Sequence, residues 1–301
     1  MARIIRKTVL TTLSLAVVGA GVLACTDGPL KEPLLSLRDS ARKHTATDAF
    51  SGTKKIDVDG HSVNVTCSGT RADGRPVVVV MGGLGDGLNK TAAFRKTLSE
   101  KDRVCSYDRL GEGGSDKPAG VQSIAASGKI LTGVLDRVAD DTPVVLAGHS
   151  LGGLLAARYA PAHQDRVKGL VLMDATSPTS NGDIEKVIPK SATGRNAELR
   201  AGTVAVGEGQ NQEKLAFPDG EVRSAGDIPV EVIQHGTKYL GQFPVYGDGL
   251  EKVWSGGQHK WIAVSSRSRL STASGSAHYI YLDRADLAVK AVRSVSDRAA
   301  Q

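Results

Sequence analysis

The stretch Pro143-Val-Val-Leu-Ala-Gly-His149-Ser150-Leu-Gly-Gly153 constrains this chain more than any other. Residues 144–147 are a continuous apolar run, the pattern of a parallel strand covered on both faces. Residues 151–160 supply strong helix formers with an apolar side, and Pro161 stops them. Between the two lies Gly148-His149-Ser150-Leu151-Gly152, which fits the G-x-S-x-G pattern. Joining strand to helix in so few residues takes a strained turn, and the flanking glycines let the two elements approach. The serine hydroxyl then stands proud of the sheet, with the free N–H groups of a helix N-terminus behind it. In that setting Ser150 reads as a nucleophile rather than as part of a glycine-rich structural turn.

The rest of the chain repeats strand and helix around this point. Residues 54–59 and 61–67 alternate apolar and polar about Asp59-Gly60, which predicts a β-hairpin. Residues 77–81 predict a buried strand, followed by the glycine-rich loop 82–87. Helices are expected over 89–100, 121–140, 250–264 and 283–298, and strands over 103–107, 167–173, 228–234 and 269–274. Residues 177–226 break the rhythm. They are rich in Gly, Ser and charge, with short helical pieces near 183–187 and 195–200. So long a segment is not a bare loop, and it reads as an inserted cap. A hairpin followed by strand–helix units means a mostly parallel sheet with helices on both faces, an α/β fold. Ligands in such sheets bind at the carboxyl ends of the strands, where the loops after 81, 147, 173 and 274 converge.

The N-terminus reads as an export signal over residues 1–24. Arg3, Arg6 and Lys7 precede an uncharged apolar run, 8–24, that is short for a spanning helix. The run ends Val22-Leu23-Ala24-Cys25, which looks like a bacterial lipobox with Cys25 as the lipidated residue, although Leu23 is atypical there. A soluble secreted protein and an uncleaved anchor are the alternatives. Residues 25–51 read as a polar tether and 52–301 as the folded domain. The formal net charge of +6 falls by half once the signal's basic residues are set aside, and aromatics are 4%. Nothing there supports a nucleic-acid surface. The loop 82–87 lacks the Gly-Lys-Ser/Thr ending of a phosphate loop and the spacing of a dinucleotide fingerprint, and no His-Glu-x-x-His or Cys-x-x-Cys occurs. No cofactor or metal is implied.

Five blocks in order carry a family resemblance: Gly82-Gly83-Leu84; Tyr107-Asp108-Arg109-Leu110-Gly111-Glu112-Gly113; Gly148 to Gly153; Val171-Leu172-Met173-Asp174; and Gly275-Ser276-Ala277-His278-Tyr279. Over roughly 54–298 the chain resembles the α/β-hydrolase superfamily, and it is most similar to exported hydrolases of actinobacteria. The resemblance implies eight strands in the order 1-2-4-3-5-6-7-8, the first antiparallel. That order lays the strand ending at Cys67 beside the strand containing Cys105, close enough for a disulfide in an oxidising compartment.

The resemblance also assigns chemistry. Ser150 needs a base, and that base needs orientation. His278 falls where the family's catalytic histidine lies. His235, closing a strand, is its main rival; His149 is expected to point elsewhere, His163 ends a helix, and His44 and His61 precede the core. The usual acid after the seventh strand is missing from Gln234-His235-Gly236-Thr237-Lys238-Tyr239. Asp174, at the end of the sixth strand, is the leading acid, with Asp248 or Glu251 as alternatives if the loop 237–249 folds back. The oxyanion donors are the backbone N–H groups of Leu151 and Leu84, worth roughly 3 kcal/mol each. Many relatives have His-Gly where this chain has Gly82-Gly83, which leaves the donor unaltered. Asp108 and Arg109 read as structural braces for the loop 111–114.

These residues point to a serine hydrolase, first of all a carboxylic-ester hydrolase with a small or medium acyl substrate. An exported peptidase or amidase is the second reading, with Glu185, Glu198, Glu208 or Glu213 available to grip an amine. A lipid-anchored binding protein on a hydrolase scaffold is the third.

Overall fold

The structure, a computed structural model, describes residues 50–301. The expected signal over 1–24, Cys25 and nearly all of the tether lie outside the described residues. Eight strands form one sheet: β1 (Gly52–Val58), β2 (His61–Ser68), β3 (Val77–Met81), β4 (Val104–Tyr107), β5 (Val144–His149), β6 (Val167–Met173), β7 (Pro229–His235) and β8 (Arg267–Ala273). Their order is β1-β2-β4-β3-β5-β6-β7-β8. The antiparallel member is β2, not the first strand. It runs against both β1 and β4, and all pairs from β4 to β8 are parallel. Asp59 and Gly60 both take positive φ (51° and 76°), the tight hairpin turn that reverses the chain after β1, and it is β2 that pairs with β4.

The helices are α1 (Ala92–Leu98), α2 (Ile124–Val138), α3 (Leu151–Tyr159), α4 (Ser180–Val187), α5 (Gly194–Gly207), α6 (Gly247–Lys260), the single turn α7 (Ile280–Asp283) and α8 (Ala285–Ala299). The apolar strand β3 shows how the layers form. Val77, Val79 and Met81 pack with Leu131, Leu135 and Leu154 of α2 and α3. Val78 and Val80 point the other way, to Phe94 of α1 and Val292 and Val295 of α8. Both faces are covered, so the strand is apolar throughout.

Several boundaries move. The first helix starts at Ala92 rather than 89, because 88–91 turn on themselves. Helix α2 begins after Ser123, whose hydroxyl accepts from the Ala126 N–H as an N-cap. Helix α6 begins at Gly247 rather than 250, so Asp248 sits on helix instead of in a loop. Cys67 and Cys105 stand directly opposite each other across β2 and β4 and are joined by a disulfide.

Candidate active site

Ser150 sits at φ 50°, ψ −120°, between β5 and α3, in backbone space that side chains rarely adopt. The surroundings leave it no alternative. Its N–H donates to Met173 O (3.1 Å), and its carbonyl accepts from Gly153, Leu154 and Thr176. A Cβ on Gly148 would lie 2.5 Å from Gly152 O, and one on Gly152 would lie 2.3 Å from Met81 O. Those two glycines are the places where helix and sheet touch.

The loop after β3 closes on the serine. A Cβ on Gly83 would meet Ser150 Cβ at 3.2 Å. Arg109, buried at the end of β4, donates to Gly82 O and Gly83 O, both at 2.8 Å. In a trans peptide the N–H points opposite to the C=O. Anchoring Gly83 O therefore turns the Leu84 N–H away from Arg109, to the other side of the loop. Neither Leu84 nor Leu151 donates its N–H within the described residues. Arg109 is itself held by Glu213 (2.6 and 2.8 Å) and by Glu112 (3.2 Å). Burial raises the Glu112 carboxyl to about 8, against the pull of Arg109. The expected brace on the loop 111–114 is shared: Asp108 accepts from the Gly114 and Leu88 N–H groups, and Arg109 donates to Glu112.

His278 and Asp174, the expected base and acid, meet across 104 residues of sequence. His278 Nδ1 lies 2.7 Å from Asp174 Oδ2. An ionised carboxylate only accepts, so Nδ1 carries the hydrogen and Nε2 keeps its lone pair. The side-chain bonds of His278 are to Asp174 and, at 3.4 Å, to Tyr239; among the described residues none joins it to Ser150 Oγ. Asp174 is wholly buried, at φ 46°, its N–H tied to Ile233 O. It also accepts from His235 Nδ1, the His235 N–H and Trp254 Nε1. Burial opposes its charge, but the bonds from His235 and His278 outweigh it and hold the carboxyl at about 2.

The other acids do not reach His278. Glu251 bonds His235 Nε2 (2.8 Å) and the Leu240 and Gly241 N–H groups. Asp248, in the first turn of α6, lines an outer pocket with Lys252 and Gln234. The loop 237–249 folds into helical turns of its own, and it brings Tyr239, not a carboxylate, to the histidine. His235 is no rival base, since carboxylates occupy both its nitrogens. His149 does not point elsewhere. Its Nε2 lies 3.0 Å from His278 O, and the two rings are 4.5 Å apart. Burial lowers its pKa against the pull of Asp86, 3.4 Å from Nδ1, and Nε2 donates to the His278 carbonyl.

The segment between β6 and β7 contributes α4 and α5. Ile184, Leu199, Leu240, Leu250, Val253 and Trp254 line an apolar cavity of ≈120 Å³ there. Trp254 also stands edge-on to His278 at 5.5 Å. Among the described residues no group of three His, Cys, Asp or Glu side chains is arranged to hold a metal ion.

This geometry agrees with the comparison to known families. The family described as "alpha/beta hydrolase fold" matches residues 76–263, more than half of the chain. The chain belongs to the alpha/beta hydrolase fold family. Among curated proteins it is 35% identical over 113 residues to the human (Lyso)-N-acylphosphatidylethanolamine lipase, covering 36% of this chain and 33% of that one. It is 32% identical over 109 residues to an uncharacterized protein of Mycobacterium tuberculosis, 36% of this chain and 32% of that one. The chain thus matches about a third of the length of these curated relatives. Two solved structures share the fold. The enol-lactonase of Burkholderia xenovorans has a TM-score of 0.56 and 20% identity, covering 80% of this chain and 99% of that one. The esterase RhEst1 of Rhodococcus has 0.58 and 20%, covering 82% and 99%.

Sequence reasoning missed the roles of Arg109, Trp254, His149 and Tyr239. Arg109 carried a signal, a charge placed directly after a buried strand. The other three carried none, because their partners lie far away along the chain.

Proposed function

We propose that this hydrolase is a serine carboxylesterase that transfers small or medium acyl groups through Ser150. The single observation that carries the reading is the 2.7 Å contact from His278 Nδ1 to Asp174, which leaves Nε2 free to act as a base on the loop beside the elbow. Ser150 Oγ attacks the acyl carbon while His278 Nε2 takes its proton. The tetrahedral oxyanion rests on the N–H groups of Leu84 and Leu151. Collapse expels the alcohol, which leaves with the proton held by His278. Water then attacks the acyl-enzyme with His278 again as base.

The apolar cavity beside Trp254 suits a short acyl chain, and its small size supports the substrate range. An aminopeptidase needs a free acid to grip an amine. Glu213 is spent on Arg109 and Glu185 on Arg200, which leaves Glu198 and Glu208 as the acids open to an amine in the amide reading. The basic and apolar N-terminal segment supports export, with Cys25 as the point of lipid attachment at the membrane surface. The test is labelling by a fluorophosphonate probe beside a screen of chromogenic acyl esters against aminoacyl amides. The parent labels and cleaves the esters, and Ser150→Ala does neither. Labelling that survives in Ser150→Ala refutes the nucleophile; cleavage of amides alone refutes the ester class.

A further inference from the structure

The end of β7 carries a histidine that acyl transfer does not use. His235 Nδ1 lies 2.9 and 3.0 Å from the two oxygens of Asp174, and its Nε2 lies 2.8 Å from Glu251 Oε2. Glu251 Oε1 accepts from the Leu240 N–H (2.6 Å) and the Gly241 N–H (3.1 Å), bonds that favour an ionised carboxylate. A ring facing an ionised acceptor at each nitrogen carries hydrogen on both, so His235 is an imidazolium. Burial works against that charge, but the bonds and charges of Asp174 and Glu251 outweigh it and move its titration upward.

We infer that His235, held charged by Glu251, is a positioning residue for the acyl-transfer centre. Its fixed positive charge offsets the Asp174 carboxylate and so sets where the acid limb of activity falls. This rests on the reading of Ser150, His278 and Asp174 given above.

The groups around the pair are few. His235 faces Asp174 from β6, Glu251 and Trp254 from α6, and the Tyr239 ring at 4.8 Å. Lys238, Asp248 and Lys252 lie on its outer, solvent side. His278 faces Asp174, Tyr239, Trp254, Tyr279 and His149. Burial and the Asp174 charge push the Tyr239 phenol up; burial pushes His149 down, against the Asp86 carboxylate 3.4 Å from its Nδ1. Among the described residues His235 is then the one fixed cation bonded to Asp174. When His278 takes a proton, the new cation is attracted by Asp174 and repelled by His235. Removing the His235 charge leaves the attraction less offset. The acid limb of activity then moves up.

The test compares pH profiles of kcat/KM for a chromogenic short-chain ester, and of the fluorophosphonate labelling rate, from about pH 4.5 to about 8. Glu251→Gln keeps an amide oxygen for the Leu240 and Gly241 N–H groups and removes the anchoring charge. His235→Asn keeps an N–H toward Asp174 and removes the cation. Both are expected to raise the acid limb by about one pH unit while the plateau stays within about tenfold of the parent. A merely structural role lowers the plateau and leaves the limb where it was, and that result overturns the inference, as does a limb that moves down. If His235→Asn fails to fold, Glu251→Gln decides alone. Asp174→Asn is run alongside. Turnover retained there defeats the acyl-transfer reading itself, whereas turnover lost there with an unmoved limb in Glu251→Gln defeats only the role of His235.

Discussion

Asp174→Asn is the most demanding test of the site, because four donors converge on this buried carboxylate. Trp254 Nε1 and the His235 N–H point at Oδ1, and His278 Nδ1 points at Oδ2. His235 Nδ1 bridges both oxygens. An amide offers one oxygen and one NH2. The indole and the backbone N–H cannot give up their hydrogens, so the amide oxygen must take the Oδ1 side. The NH2 then faces His278 Nδ1, and the ring answers by moving its hydrogen to Nε2. In that tautomer His278 cannot accept the Ser150 proton. An amide in this place of such a constellation costs about 10⁴-fold in kcat, or about 5.5 kcal/mol of barrier. Stability changes as well. The Asp174 carboxyl is held at about 2 against an ordinary 3.8. A depressed carboxyl stabilises the fold above its unfolded value and loses that contribution as pH falls through the folded one. The contribution is about 2 kcal/mol, lost between about pH 4 and pH 2. Ester turnover and urea unfolding against pH measure both effects. The variant should fold at neutral pH, turn over about 10⁴-fold more slowly, and lack that part of the acid slope. Turnover within about tenfold of the parent would refute the assignment of Asp174.

Two further outcomes follow from the same contacts. Arg109→Lys cannot bridge Gly82 O, Gly83 O and Glu213 with one ammonium, so the Leu84 N–H loses its alignment; kcat should fall about 10- to 100-fold with KM little changed, as read by steady-state kinetics. Unchanged kcat would show that the loop holds its shape without the guanidinium. Replacing Cys67 and Cys105 together by Ala should cost about 4 kcal/mol in denaturant unfolding, the chain-entropy value for a closure of 38 residues. Thiol titration of the unfolded, unreduced parent should find neither of these two cysteines free.

The strands were legible because their signals are local. The apolar run of β5, the alternation in β1 and β2, and the turn at Asp59-Gly60 each lie within a few residues. The start of α6 was not. Gly247 to Gly249 read as loop, yet the helix begins there because Leu250 packs with Ile184 and Ile188 of the cap. The hand of the first two strands was misassigned for a related reason. A hairpin fixes only that two strands oppose each other, and pairing with β4 decides which one runs against the sheet.

The elbow by itself determined that a strained serine would stand between a buried strand and a helix, since glycines at fixed spacing and two hydrophobic periods leave no other connection. The alternation of strands and helices placed a histidine-bearing loop at the same end of the sheet. Which carboxylate serves that histidine was a tertiary decision. Asp174, Asp248 and Glu251 are alike as residues, and only the stacking of β6 beside β7 beside β8 sets Asp174 against His278 while turning Glu251 onto His235. Arg109 and Glu213, 104 residues apart, meet for the same reason. A side chain's partner is set by the register of neighbouring strands and by what covers their ends, and neither is written within reach of a local pattern.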